Sequence, residues 1–337
     1  MHKRLLNQCL IDLEIRTEGP LLIKSGSPGF EGPDMAPVFT FRDRSKAEPY
    51  IPGSSLKGVI RSHAERIART LCWDPDDFRV GACNPFLTDK KARDWTKPDG
   101  YCGAKFQQRK DKKEDLASST VYRDSCPACK VFGNTFLIGR LSVPDAYLLP
   151  EVHPRTERRD GVGIDRFTGG AAHRAKFDLE AVTNAKFRVR LQLVNFELWQ
   201  LGLLAFVLRD LKEGLIGIGS GKSRGLGQVS AIIGYVDVAM ASHSLPNRDG
   251  QRLWGLMALE TDENRRAYGY WQREGDGVLL DDAQSVEDPL DLQTSYRLSG
   301  ENAALSLWRN AARLASSFLD DYQIPADMQF RENGHQR

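Results

Sequence analysis

Apolar residues fall at every second position near the start of the chain. Cys9, Ile11, Leu13 and Ile15 mark residues 7–16 as a strand with one buried face. A second clean alternation runs over residues 187–194. A β-rich stretch with Val229, Ile232, Ile233, Tyr235, Val236 and Val238 covers residues 228–240, and residues 138–146 are also strand-like. Helical spacing takes over at Leu56, Ile60, Ala64, Ile67 and Leu71, with Ser54 as the expected N-cap. It returns at Leu201, Leu204, Leu208 and Leu211 within residues 199–212. It returns again at Leu305, Leu307, Trp308, Ala312, Leu314 and Phe318 within residues 303–319. The order strand, helix, strand, then strand, helix, strand predicts an α+β fold with a ferredoxin-like (RRM-like) core. Several RNA-binding modules use that type of sheet.

Three stretches break the pattern. Residues 24–44 form a long loop rich in Gly and Pro, of the length that is usually functional. Residues 81–125 are polar, Lys-rich and aperiodic, and read as an insertion. Residues 150–180 are polar and loop-like, with Arg155, Arg158, Arg159, Arg166 and Arg174. Composition shifts after residue 240, with turn signals over residues 244–250.

Charge sharpens the division. Residues 1–230 hold 37 Lys and Arg against 28 Asp and Glu; residues 231–337 hold 10 against 17. A basic front beside an acidic tail suits a polyanionic partner on the front. The N-terminus reads as a strand and not as the apolar core of a signal peptide, and no membrane span stands out. The expectation is a cytoplasmic protein with reduced cysteines.

Two segments carry phosphate-binding chemistry. Gly217-Ile-Gly-Ser-Gly-Lys-Ser-Arg-Gly-Leu-Gly227 sets Lys222 and Arg224 among five glycines. Glycine permits close backbone approach and positive φ. A nucleotide P-loop would need Gly at position 216, which is Ile, and the order here is helix, loop, strand, the reverse of a P-loop. The second segment is the start of the helix at Ser54 and Ser55. There free amides, the dipole, and Lys57 and Arg61 four residues apart favour an anion. His63 on the same helix reads as structural.

Five of the six cysteines, Cys72, Cys83, Cys102, Cys126 and Cys129, lie within 58 residues. The Cys126-Pro-Ala-Cys129 turn offers two thiolates, half of a tetrahedral site. Cys83 and Cys102, in polar loop sequence, are expected to complete it, with Cys72 a core residue. Structural Zn²⁺ would explain how an insertion so poor in apolar residues is ordered. A redox dithiol is the alternative.

Taken together, these residues resemble a known family. The chain is similar to RAMP-superfamily backbone subunits of type III CRISPR effector complexes, on four segments in the family's order. They are Tyr50-Ile-Pro-Gly-Ser-Ser-Leu-Lys-Gly-Val-Ile-Arg-Ser62, Cys126-Pro-Ala-Cys-Lys-Val-Phe-Gly133, Gly163-Ile-Asp-Arg-Phe-Thr-Gly-Gly-Ala-Ala172 and the glycine loop. The cysteine-bearing insertion is similar to the type III-D and III-E branches. The likeness spans about residues 8–240 and leaves 241–337 outside.

The resemblance implies a ferredoxin-like RAMP core over residues 1–240. That core would carry a zinc-binding insertion at 81–130 and a thumb loop or hairpin at 150–180. Residues 241–337 would be an acidic, partly helical C-terminal extension. The palm would hold the backbone of a CRISPR guide RNA through Ser54, Ser55, Lys57, Arg61, Gly219, Gly221, Lys222, Ser223 and Arg224. The thumb would reach the duplex formed with complementary single-stranded target RNA through Arg166, Phe167 and Thr168, with Phe167 as wedge. Many members cut the target with an Asp in the loop after the first strand, here Asp34, with Mg²⁺. Asp43 reads instead as a surface-paired residue. Further copies, paralogues and other effector subunits are the implied partners. Some members do not cut, so an inactive RNA-binding scaffold is the competing expectation. A guide-processing nuclease is disfavoured, because no His lies near the glycine loop.

Overall fold

The computed structural model of the protein describes residues 3–25, 33–43, 46–72, 81–83, 102–246, 251–272 and 276–322. Strand β1 (Asn7–Thr17) is followed by the hairpin β2 (Phe39–Asp43) and β3 (Lys46–Ile51), and then by helix α1 (Gly53–Leu71). Three short helices come next: α2 (Cys102–Asp111), α3 (Ser118–Arg123) and α4 (Pro127–Phe132). Short strands β4 (Gly133–Asn134), β5 (Leu137–Ile138), β6 (Leu141–Ser142) and β7 (Ala146–Leu148) follow. The middle of the chain forms β8 (Arg155–Ile164), β9 (Ala171–Thr183), β10 (Lys186–Val194), α5 (Leu198–Lys212) and β11 (Val229–Ala241). The remainder holds β12 (Arg252–Trp254), α6 (Leu256–Leu259), α7 (Asp262–Tyr268), β13 (Gly277–Leu279), β14 (Gln284–Val286), β15 (Gln293–Ser299) and α8 (Gly300–Asp320).

One sheet organises these elements, in the order β14-β15-β11-β1-β10-β7-β3-β2. Its centre, β11-β1-β10-β7, is antiparallel throughout, with α1 and α5 as the crossovers. This is the split βαβ order, consistent with a ferredoxin-like fold. Cys9, Ile11, Leu13 and Ile15 of β1 are fully buried against the helix layer, as their alternation dictates. On the opposite face Asp12 is also buried, and burial of a bare carboxylate is costly. Arg188 compensates with hydrogen bonds of 2.8–3.1 Å, and Arg190 stands 3.6 Å away.

Three local expectations change. Ser54 is not the N-cap of α1. The helix starts two residues earlier, with Pro52 as cap residue, and the Gly53 N–H donates to Asp145 Oδ1 at 2.7 Å. A carboxylate from a distant turn thus does the capping that a local Ser was expected to do. The strand-like run 138–146 is split into β5, β6 and β7, with Gly139 and Pro144 at the interruptions. Residues 150–180 are not loop-like: β8 and β9 form a long hairpin with its own register. No apolar alternation marks β8 because the strand buries neither face.

Residues after 240 continue the same packing. β15 pairs with β11 from Tyr235↔Ser299 to Ala241↔Gln293, and α8 lies on α5. Trp199 and Phe318 stack with ring centroids 3.9 Å apart. A polar joint ties α3, α5 and the tail together. Tyr122 donates to Glu197, Gln200 Nε2 donates to the Tyr122 hydroxyl at 3.0 Å, and the Trp271 N–H donates to Glu197 at 2.8 Å. Burial pushes the Tyr122 phenol well up, and the Arg140 guanidinium lies 4.4 Å above its ring.

The helix contact is closest at Gly202, where an added Cβ would stand 1.8 Å from the Ala311 carbonyl oxygen. Gly202→Ala is therefore expected to destabilise the protein by about 1–3 kcal/mol, read as a lower urea midpoint. An unchanged midpoint would mean that α8 is not seated on α5.

Candidate nucleic-acid interface and metal centre

The extended segment 20–25 leaves β1 and meets three other parts of the chain. The Leu22 carbonyl accepts the Ser220 N–H, and the Pro20 carbonyl accepts the Gly227 N–H, each at 2.8 Å. Leu21 exchanges two 2.8 Å backbone bonds with Val182 at the foot of the β8–β9 hairpin. The Ile23 carbonyl accepts the Val38 N–H at 2.9 Å, and the Ser25 N–H donates to Ala36 at 3.0 Å. Beneath these bonds Leu22, Leu179, Ala181 and Leu226 form a small core of their own, with Met35 and Phe177 against it. The glycine loop, the Asp34 segment and the hairpin foot are thus set on one support.

The glycine loop needs its glycines for this approach. Gly219 has φ +81°, and a Cβ there would lie 2.3 Å from the Leu22 carbonyl oxygen. Lys222, Ser223 and Arg224 form one short turn between Gly221 and Gly225, both left-handed, and all three side chains are exposed. Lys222 and Ser223 have no polar partner among the described residues. The Arg224 guanidinium lies 5.4 Å from the Phe177 ring centroid, a cation–π contact that fixes its direction.

Asp34 sits beside that loop's support. Its N–H donates to Asp178 Oδ1 at 2.9 Å, and its own Oδ2 accepts the Asp178 N–H at 3.1 Å. Met35 and Leu179 form a parallel bridge next to this pair. The Asp34 N–H, with Arg158 2.8 Å away, holds the Asp178 carboxyl below the usual carboxylate range. The Asp34 side chain is exposed, so a carboxylate pair with fixed backbone geometry faces solvent. Of the companion carboxylate Asp43, the side chain lies outside the described residues.

At the hairpin tip Asp165 builds the turn. Its carboxylate accepts the Phe167 N–H at 2.9 Å and the Thr168 hydroxyl at 3.0 Å, which holds its pKa down. Phe167 is fully exposed, and Arg166 beside it is exposed too.

The first half of α1 divides its residues differently. Ser54 is exposed, Ser55 and Lys57 are half-buried, and none has a polar partner among the described residues. Burial, and then Arg61, lowers the Lys57 pKa. Arg61 itself donates to Glu65 at 2.8 Å, to the Gly133 carbonyl at 3.1 Å and to Cys129 Sγ at 3.7 Å. His63 bonds Asp210 of α5 at 2.6 Å and so ties the two helices.

The thiols of Cys83, Cys102, Cys126 and Cys129 lie within 4.8 Å of one another. Cys126 is the N-cap of α4 and accepts the Cys129 N–H, which places two thiols on one turn. Its Sγ also accepts the Cys83 N–H at 3.4 Å, while Cys102 Sγ accepts the Cys126 N–H at 3.3 Å. Hydrogen bonds from the other three thiols draw the Cys126 pKa well down. A tetrahedral thiolate site with metal–sulfur bonds of about 2.3 Å sets sulfurs at about this spacing, so the four residues could hold a metal ion. Cys72 is outside the group. It is buried behind α1, and burial pushes its thiol up to about 12.

Residues 14–230 match the RAMP superfamily. The chain belongs to that family. RAMP proteins generally take part in CRISPR-associated RNA-binding complexes. The matched stretch takes in α1, all four clustered cysteines, the β8–β9 hairpin and the glycine loop, and it ends as β11 begins. A comparison with curated proteins finds no match. No described helix is long and apolar enough to cross a membrane.

Several residues at this RAMP surface were not singled out in the sequence: Asp178, Phe177, Asp145 and the segment 20–25. Asp178 and Asp145 act across 144 and 92 positions of chain, and the segment 20–25 acts through backbone groups, which no local motif announces. Gly219→Ala is expected to push the glycine loop off Leu22 and to weaken RNA binding about tenfold or more, with the far-ultraviolet spectrum unchanged. Wild-type affinity in a filter-binding titration would contradict the role given to this support.

Proposed function

We propose that this RAMP protein is a guide-RNA-binding backbone subunit of a type III CRISPR effector, of the type III-D/III-E-like branch. It would act in the cytoplasm with further copies or paralogues of itself and with other effector subunits. The observation that carries the reading is the shared support of the glycine loop, Asp34 and the hairpin foot. Lys222, Ser223, Arg224 and the backbone at Gly219 and Gly221 would hold guide phosphates, joined by Ser54, Ser55 and Lys57 at the start of α1. Contacts to phosphate suit a protein that must carry any guide sequence. Arg166, Phe167 and Thr168 at the hairpin tip would meet the duplex with target RNA, Phe167 as an apolar wedge that unstacks a base.

Asp34 is proposed as the catalytic residue for cutting the target. Its carboxylate would orient the ribose 2′-hydroxyl of a splayed nucleotide for attack on the adjacent phosphorus. The new bond is 2′-O–P, the broken one P–O5′, and the 5′-oxygen leaves with a proton. Mg²⁺, when bound, would supply charge neutralisation at the phosphate. Asp178 and Arg158 would hold Asp34 in place. The four cysteines are proposed to bind Zn²⁺, with a structural role in ordering the insertion.

One observation favours the inactive scaffold instead: Asp34 Oδ2 already serves as acceptor for a backbone N–H. The test is cleavage of complementary RNA by the guide-loaded assembly with Mg²⁺, comparing the native chain with Asp34→Ala and Asp34→Asn. The Asn variant keeps an acceptor for Asp178 and loses the charge. Evenly spaced products that drop about 100-fold in both variants are expected. Products unchanged in both would remove Asp34 from the chemistry. No products from the native chain, with target bound, would establish the scaffold.

A further inference from the structure

One side of α1 carries a ladder of charged side chains that reaches the cysteine cluster. Arg61, Glu65 and Arg69 stand four residues apart on one face. Their side chains are only 24, 12 and 29% exposed. Arg61 donates to the Gly133 carbonyl at 3.1 Å and to Cys129 Sγ at 3.7 Å. Arg69 donates to the Ala82 carbonyl at 3.1 Å and to the Cys83 carbonyl at 3.0 Å. Glu65 lies between them, 2.8 Å from Arg61 and 3.8 Å from Arg69. The two arginines therefore grip the two chain segments that bring Cys83 and Cys129 together, and the carboxylate fixes their spacing.

Charge gives the grip a purpose. Four thiolates around a divalent cation carry a net charge of about −2, and donors to the sulfurs spread that charge. Arg61 is a side-chain cation that donates to one of these thiol sulfurs. Lys57, one turn earlier, makes none of these contacts. The two cations that sequence spacing puts side by side thus face different tasks.

We infer that Arg61 is a positioning residue of the cysteine centre, acting on Cys129 and with Arg69 on the Cys83 segment, and not a ligand of RNA phosphate. The inference rests on the reading that the four thiols hold a divalent metal and that the start of α1 faces RNA.

The test uses the full chain loaded with Co²⁺ as a spectroscopic probe, and with Zn²⁺ for retention against a chelator. Arg61→Gln, Arg61→Lys, Arg69→Gln and Lys57→Gln are compared with the native chain, and guide-RNA affinity is titrated for each. Arg61→Gln is expected to shift the sulfur-to-cobalt charge-transfer band and to lose metal about tenfold or more faster. Its RNA affinity should stay within about twofold. Arg61→Lys should restore part of the retention, and Arg69→Gln should lower retention without moving the band as far. Lys57→Gln should weaken RNA binding and leave the metal untouched. Native spectrum and retention in Arg61→Gln, with RNA affinity falling as in Lys57→Gln, would overturn the inference. Should Arg61→Gln fail to fold, unchanged retention in both Arg61→Lys and Arg69→Gln would overturn it. A native chain that takes up neither metal would instead remove the metal reading itself, and the inference with it.

Discussion

The backbone bonds of residues 20–25 are the constraint on which the candidate interface depends. A segment leaving the central strand of the sheet has unpaired N–H and C=O groups that must find partners. Here they find them in the glycine loop, in the strand foot of the β8–β9 hairpin and in the Asp34 segment. The Leu22–Leu179–Leu226 cluster seals the joint from below. Two positively charged side chains, a carboxylate pair and an exposed aromatic tip are thereby fixed relative to one another, although they come from parts of the chain far apart in sequence. The rigid elements stay behind the surface, and the chemistry is carried on loops, as binding sites commonly arrange it.

The metal-capable cluster solves a different problem. Helices α2 to α4 are too short to be stable alone, although they place Phe106, Val121, Tyr122, Val131 and Phe132 in the main core. All four cysteines fall within the insertion, and Cys83, at its start just after α1, is held by Arg69. The cluster therefore sits where the insertion meets the helix that the proposed RNA site also uses. The Tyr122–Glu197 joint makes a second attachment, to α5 and the tail.

Much of this was legible in the sequence. The alternation at Cys9–Ile15, the spacing on α1 and α5 and the β-rich run before residue 241 each mark an element that forms. The order of those elements carries the split βαβ topology. The four clustered cysteines follow from the Cys126–Cys129 turn and from the polar sequence around Cys83 and Cys102, although Cys102 opens helix α2 and is buried. What was not legible is non-local. Asp145 caps α1 from a turn between β6 and β7, so the local Ser54 signal misled. Strand β8 of the hairpin has no buried face, so it leaves no periodic trace. The tail's acidic composition hides that β15 completes the sheet beside β11, because pairing is a backbone property. Arg61 and Lys57 share a helical spacing that says they are neighbours, and only the fold shows that their surroundings differ.

The sheet also has an open face with arginines of its own, Arg188, Arg190 and Arg297, which pair with Asp12 and Asp237. A phosphate backbone would find cations on either side of the molecule. The open-face arginines are committed to carboxylates, whereas Lys222 is not. Ultraviolet cross-linking of bound guide RNA, with the attached peptides mapped by mass spectrometry, separates the two faces directly. The account predicts adducts within residues 33–38, 54–57, 166–178 and 217–227. Adducts confined to β10, β11 and β15 would contradict it.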